Sequence, residues 1–558
     1  MARIAPFLVG WRPYLLLGVL CAMLYLPGIS TIPVLDRDEA RFAQATRQML
    51  ETGDFLHIRF QNEARNQKPA GIYWLQAASV HLFSDPESTA IWPYRLPSLI
   101  GAGIAVLLTF GLGRALLREG TDDDARSSLT AAVAAVALAA ALGTVAEAHI
   151  AKTDAALLAT IVAGQGALGL AYIRARHGGA VGPRIAVLFW AAQIAAIMLK
   201  GPVGPALALT TAATLAIADR EAAWLRTLRP LTGLAAMALV VAPWLYGIEH
   251  ATGGQFLSDS LGHDFLSKLI SGQDSHGAPP FYYLTLAMIT FWPGSLYLAP
   301  TLIRAGQRLE QPLTRFLLAW IVPAWVVMEL VPTKLPHYVL PLYPALALLT
   351  AIVLVEGNDP GERPWARWTL HAVAALWAAV TLMLAAVLLV LPGRFGSGLD
   401  VAGPAGAVAL LVLASIMLWR RPGPIAVAAA KAALSLSLII PMTFWVVPGL
   451  DRLWLSREVA ALIARDPPPA GAPLVTVGYT EPSLVFLLGG KLRVSVVGSA
   501  VDDLAGGGEA LVSGRENALF LQGLEARGLT ARMIGDVRGT DYSNGQRMVL
   551  TLYRVEPK

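Results

Sequence analysis

Cysteine is nearly missing. Cys21 is the only thiol in 558 residues, so no intrachain disulfide can form and the redox compartment leaves no mark on the chain. Charge is scarce too: Asp, Glu, Lys and Arg make up 15% of the residues, against about 25% in a soluble domain. The net charge of +5 does not point to nucleic acid, because the basic residues are spread over short loops between apolar runs. No glycine-rich dinucleotide fingerprint occurs, which argues against a nucleotide-sugar donor taken from the aqueous phase. No internal repeat or repeated half is visible, and no low-complexity segment beyond an Ala/Leu bias.

What remains is apolar: 55% of the residues are hydrophobic. Runs of roughly twenty residues, enough to cross a bilayer as helix, lie near 13–32, 95–117, 128–146, 153–173, 184–200, 203–219, 230–248, 281–303, 314–331, 338–355, 368–391, 401–419 and 423–447. The first follows Arg3 and Arg12 without a clean cleavage site and reads as a retained signal anchor. The expected fold is an all-α polytopic membrane protein of about 13 spans, with a small C-terminal α/β domain outside the membrane.

Arginines cluster in alternate loops: Arg114, Arg118 and Arg126; Arg174, Arg176 and Arg184; Arg220, Arg226 and Arg229; Arg304, Arg308 and Arg315; Arg363 and Arg367; Arg420 and Arg421. By the positive-inside rule these loops, and the N-terminus with them, are cytoplasmic. An odd span count then places the C-terminus in the periplasm of a bacterial inner membrane. The expected organisation is a membrane domain over 1–449, with outer loops near 33–94 and 249–280, and a periplasmic domain over 450–558. In that tail "PLVTVGY", "KLRVSVVG" and "RMVLTLYRVE" read as strands, and "RENALFLQGLEARG" as a helix closed by Gly528.

Lysine shows the opposite distribution. Lys68, Lys152, Lys200, Lys268 and Lys334 all fall at outward loops or span ends, and the cytoplasmic loops hold none. One reading is snorkelling at span ends; the other is a need for positive charge where phosphate binds. Acids accompany them. Asp38 and Glu39 open "DEARFAQATRQMLETGD", whose Phe42, Ala45, Met49 and Leu50 recur at helical spacing before Gly53. "EAHIAKTDAALL" sets Asp154 beside Lys152, His149 and Glu147; Asp154 is either a helix cap or a functional carboxylate. "KPAGIYWLQAASVHLF" and "FLSDSLGHDFLSKLI" add two further juxtamembrane helices, which with the first could frame a lipid entrance.

Taken in order, "LDRDEARFAQATRQMLETGDF…NQKPAGIYWLQA", "TDAALL", "LKGPVG", "DFLSKLISGQDSHGAPPFYYL" and "TKLPHYVLPLYPALALL" resemble bacterial integral-membrane glycosyltransferases of the C-type superfamily. Within it the chain is most similar to the lipid A aminoarabinose transferases and protein mannosyltransferase-like enzymes. The resemblance implies a sugar donor carried on polyprenyl phosphate. It also implies Asp38 as the catalytic carboxylate, Asp154 as a second acid, and Lys68, Lys268 and Tyr338 as ligands of the donor phosphate. Glu39, Arg41, Lys200, His276 and Lys334 fall in the same stretches and are candidates for the substrate-cavity wall. Relatives often carry Glu before the "KP" lysine, where it can bind a metal. This chain has Gln67, a poorer ligand for a hard cation, so a divalent cofactor is doubtful.

The expected reaction is displacement at the anomeric carbon with inversion. Lipid A, another envelope glycolipid, a polysaccharide or a protein all remain open as acceptor. The rival class, a transporter or flippase, would gather polar groups at mid-membrane in repeated halves. Here the midspan ionisable groups are Glu329 and His371, with Lys431 nearer the cytoplasmic end and able to snorkel.

Overall fold

The computed structural model describes residues 7–260, 262, 279, 281–357, 364–420, 422–469 and 471–558. Each of the thirteen apolar runs is helical, though two are broken. Among the described residues, nine helices are long and apolar enough to cross a bilayer, or ten if one bent pair counts as a span. The chain is a multi-pass membrane protein.

Helix α1 (Arg12–Tyr25) leads into the long loop before helix Trp92–Arg118. There α2 (Asp38–Thr52) ends as its sequence predicts, with Gly53 in the left-handed region at φ 69°, where a residue without Cβ is at no disadvantage. A two-residue antiparallel ladder, β1 (Arg59–Phe60) with β2 (Glu63–Ala64), precedes α3 (Gly71–Phe83). The expectation of helices lying on the membrane face needs correcting for α2. Phe42, Ala45 and Met49 pack with Tyr73 of α3, and Ala40 and Ala43 pack with Phe486 of the C-terminal part. With both faces covered, α2 is a buried strut.

The membrane part is built around α4 (Trp92–Arg118) and α7 (Asp154–Arg176). These two helices touch backbone to backbone: a Cβ on Gly101 would come 2.6 Å from Ala156 Cα. Small residues permit such close approach where apolar burial alone gives little drive between helices in lipid. Between them run α5 (Asp124–Ala140) and α6 (Leu142–Ala148), one apolar run bent by 60° at Ala141. Next come α8 (Pro183–Lys200), α9 (Val203–Asp219) and α10 (Pro230–Ala251). The expected single span at 281–303 is instead two nine-residue helices, Tyr282–Thr290 and Leu298–Gly306, joined by a 3-10 turn at Gly294–Tyr297. Pro293 supplies no N–H to continue the first helix.

Two of the groups expected at midspan lie instead toward helix ends, Glu329 at the end of helix Pro312–Leu330 and His371 near the start of helix Pro364–Phe395, and both have structural partners. Glu329 Oε1 accepts from the N–H groups of Tyr283 (3.0 Å) and Leu284 (3.3 Å), serving as a cap for the first of the two short helices. His371 Nδ1 lies 2.7 Å from the Arg367 carbonyl one turn back. Lys431 does not snorkel. It is fully buried on the face of helix Pro424–Pro441 that carries Leu434 and Leu438, with its ammonium 4.9 Å from the Tyr297 ring centroid.

From Asp451 onward the chain forms a five-stranded sheet of order β4-β3-β5-β7-β6. Its strands are β3 (Leu474–Val477), β4 (Leu492–Ser495), β5 (Gly508–Ser513), β6 (Leu529–Asp541) and β7 (Gln546–Pro557). The first three run parallel and the last two antiparallel. The expected strands and the helix before Gly528, Asn517–Ala526, are all present. This unit docks on the long loop between α1 and α4: Gln61 Nε2 donates to the Leu492 carbonyl at 2.6 Å. Tyr94 and Phe486 meet edge to face at 5.4 Å.

One ion pair ties these parts together. Arg95 and Glu39 are both buried and bind through two parallel hydrogen bonds of 2.8 Å. Removing one partner of a buried pair leaves the other charge uncompensated, at a cost of about 3–5 kcal/mol. Arg95→Ala is expected to lower unfolding free energy by that amount, read as a fall in denaturation midpoint in detergent. A loss under about 1 kcal/mol, typical of an exposed pair, would show that the pair holds nothing together.

Candidate active site

The acidic motif starts from an unusual backbone. Arg37, just before α2, has φ 63°, a region that costs a non-glycine residue about 1–3 kcal/mol and needs outside support. Support comes from the sheet unit. Arg37 Nη2 donates to the Ser543 carbonyl (2.9 Å), Asp36 N–H to Tyr542 Oη (2.6 Å), and Ser483 N–H to Asp36 Oδ1 (3.2 Å). The turn delivers two adjacent acids to different surroundings. Asp38 is exposed and Glu39 is buried.

Glu39 therefore lies behind the cavity wall rather than in it. Besides Arg95, its carboxylate accepts from Leu35 N–H (2.9 Å) and Ala151 N–H (2.8 Å). That second bond fixes the strand of chain carrying Lys152 and Asp154. His149, just before it, sits between the carbonyls of Val145 and Pro27 at 2.7 Å each.

At the start of α7 the N-cap position belongs to Thr153, whose side chain makes no capping bond, and Asp154 is the first helical residue. Its carboxylate pairs with Lys200 from the end of α8 and stands 3.6 Å from Lys152. Lys152 also pairs with Glu147 of α6 at 3.0 Å. Burial alone would lower the pKa of the Lys152 ammonium, but the Glu147 and Asp154 carboxylates, with Asp38 further off, raise it above its ordinary value. His337 closes the cluster, with Nδ1 3.3 Å from Lys152 Nζ and Nε2 3.7 Å from Asp154 Oδ2.

These groups border a cleft of about 840 Å³, counting the space open to solvent at its mouth. Gln67, Lys68, Asp154, Lys200, His337 and Tyr338 line it, together with apolar Leu157, Val203, Met328 and Val331. The structure thus brings four of the expected residues to one place: Lys68, Asp154, Lys200 and Tyr338. Lys200 also lies 5.8 Å from the Tyr338 ring centroid. Arg41 is half-buried away from this lining; burial first, and then the Arg65 guanidinium beside it, lower its pKa. Lys334 is buried four residues before Tyr338. Lys268 and His276 lie outside the described residues, as does most of the stretch expected to form a third juxtamembrane helix. Gln67 brings a neutral amide to the cleft, and among the described residues no three His, Cys, Asp or Glu side chains converge as a metal site.

His337 and Arg95 were not singled out from the sequence. "KLPHY" offered His337 beside the chosen Tyr338, and "WPYRLPS" gave no sign that its arginine is buried.

In shape, the chain superposes on ArnT from Cupriavidus metallidurans bound to undecaprenyl phosphate, with a TM-score of 0.73 over 98% of both chains at 20% identity. The chain has the ArnT fold. An archaeal oligosaccharyltransferase, AglB from Archaeoglobus fulgidus, matches more distantly, with a TM-score of 0.51 at 12% identity over 93% of this chain and 69% of that one. In sequence, the undecaprenyl phosphate-alpha-4-amino-4-deoxy-L-arabinose arabinosyl transferase of Aeromonas hydrophila subsp. hydrophila is 26% identical over 437 residues, 76% of this chain and 75% of the relative. Transferase 1 of the same description from Pseudomonas fluorescens is 27% identical over 357 residues, 62% and 60% of the two chains. No family model matches the chain. The likeness to ArnT takes in the C-terminal sheet as well as the membrane part, since it covers 98% of the chain.

The seam between acidic motif and sheet contains Glu481, whose carboxyl burial pushes up to about 7, helped by Asp36 and Asp541 nearby. Below about pH 4.5 this acid is protonated whether the chain is folded or unfolded, and it contributes no difference. Between about pH 4.5 and 7 the unfolded chain has released this proton while the folded chain still holds it, so stability falls across that window and levels off once the folded group is charged too. Glu481→Gln is expected to raise the thermal midpoint in detergent at about pH 8 and leave it unchanged at about pH 4. A gain of equal size at both values would rule out titration as the cause.

Proposed function

We propose that this chain transfers a sugar from a polyprenyl-phosphate donor to an envelope acceptor at the outer face of the bacterial inner membrane. The supporting observation is the cleft of an ArnT fold in which Lys68, Lys200, His337 and Tyr338 gather with Asp154 beside apolar Leu157, Val203, Met328 and Val331. Lysine ammonium groups beside an apolar wall suit a phosphate carried on a lipid. The relatives' names give the sugar to test first, 4-amino-4-deoxy-L-arabinose, and a lipid A-type glycolipid is the first acceptor.

In this reading an acceptor oxygen attacks the anomeric carbon from the side opposite the phosphate, and the polyprenyl phosphate departs with the bonding electron pair, giving inversion. Lys68, with Lys268 and Tyr338, meets the leaving phosphate. Preorganised charge at a partly dry site stabilises the departing anion without reorganisation. Asp38, exposed at the start of α2, orients an acceptor hydroxyl and takes its proton; a phosphate acceptor would need only orientation. Asp154 positions Lys200 and Lys152.

Purified protein in proteoliposomes with undecaprenyl-phosphate aminoarabinose and lipid A is expected to yield lipid A heavier by one aminopentose. Asp38→Asn is expected to abolish this product while expression and insertion stay normal. A lysine–phosphate contact is worth about 1.5–3 kcal/mol, so Lys68→Ala is expected to lower donor kcat/KM by roughly ten- to a hundredfold. Near-parental turnover in either variant would remove that residue from the mechanism.

The same reading puts the acidic motif, Lys68 and the C-terminal sheet in the periplasm. A reporter fused after Lys558 is expected to be active as a periplasmic enzyme and silent as a cytosolic one. The reverse pattern would overturn the orientation.

A further inference from the structure

The sheet unit contains a second crevice, separate from the catalytic cleft, and its origin is topological. The chain leaves β3 for helix Pro482–Leu487, which packs on one face of the sheet with Leu455, Val459 and Leu511. It leaves β5 for helix Asn517–Ala526, which packs on the other face with Val475, Val501 and Val512. β3 and β5 are adjacent and parallel, so the loops at their carboxyl ends diverge. That is the place where open α/β sheets bind ligands. The turn between β6 and β7 supplies a third wall, enclosing about 780 Å³ with the open mouth included.

The lining is polar and unlike the apolar cleft in the membrane part. Arg515 and Arg547 are exposed on its rim, and neither pairs with a carboxylate among the described residues. Thr480, Ser513 and Asn544 add hydroxyl and amide groups. The acids present are already engaged. Asp541 accepts from Ser543 N–H (2.9 Å) and Asn544 Nδ2 (2.7 Å), and Glu481 accepts from Ser543 Oγ (2.6 Å). Two guanidiniums over hydroxyls and amides fit an anionic, hydroxyl-rich ligand. The crevice is also joined to the acidic motif, since Tyr542 and Ser543 of its third wall hold Asp36 and Arg37.

We infer that this crevice binds the sugar-phosphate headgroup of the acceptor and so presents it beside Asp38. The word acceptor rests on the proposed transfer reaction; the binding of a sugar phosphate does not. The test therefore has two arms, both on the full chain in detergent or proteoliposomes. In the first, glucose 1-phosphate is titrated against the protein, with glucose and inorganic phosphate as comparisons. It is expected to bind more tightly than either, and the double variant Arg515→Ala, Arg547→Ala is expected to weaken it at least tenfold. Arg532→Ala, an exposed arginine near the far end of the β6–β7 ladder, is expected to leave it unchanged. In the second arm, the double variant is expected to raise acceptor KM about tenfold and to change donor KM far less. Absence of glucose 1-phosphate binding, or binding indifferent to the double variant, overturns the site. Binding that depends on the arginines with acceptor KM unmoved overturns the acceptor assignment and makes the ligand a free sugar phosphate. If no transfer is detected at all, the first arm still decides the crevice.

Discussion

Arg95 spends all five of its N–H donors inside the protein. Two go to the Glu39 carboxylate, two to the carbonyls of Ile29 and Ile32, and one to that of Pro33. Glu39 returns the arrangement by accepting from the backbone at Leu35 and Ala151. Taking two charges out of water is costly, and their mutual attraction repays it only when remaining donors and acceptors are also satisfied. Here they are. The pair joins α4, the end of the first apolar run, α2 and the residue before Lys152. These are the parts whose relative placement defines the cleft, so the site inherits its geometry from a pair that does not face it.

The cleft itself balances opposing demands. Positive charge near a membrane must be held without burying it unpaired. Asp154 and Glu147 hold Lys152 and Lys200 inward at the ends of α6, α7 and α8, where snorkelling would have carried the ammonium groups away to the interface. Apolar residues make up much of the remaining lining, as the proposed lipid-borne donor would require. The sheet unit contributes from the other side by supporting the strained turn at Arg37.

Much of this was legible in the sequence, because apolar run length reports helices and lysine placement reports charge that the membrane disfavours. Run length is silent on bends, so the break at Ala141 and the turn around Pro293 were hidden. Periodicity is also silent on partners. "KTDAALL" fits a cap as well as an ion-pair cluster, and only the end of α8, 46 residues further on, decides between them. Lys431 carried the same sequence signal as a snorkelling lysine, yet its helix turns that face to the core. Asp38 and Glu39 were indistinguishable as letters; one fell outward and the other inward.

That adjacency has a geometric consequence. Successive residues on an α-helix are rotated by about 100° about its axis. With Glu39 locked by Arg95, the azimuth of Asp38 is set as a key sets the angle of a shaft, with no contact needed to the aspartate itself. The exposed carboxylate can stay lightly bonded and open to substrate while its direction is fixed from behind. Sliding α2 by one residue would break the arrangement in either direction: one way puts Glu39 outward and Ala40 against the arginine, the other puts the shorter Asp38 against it and Arg37 outward.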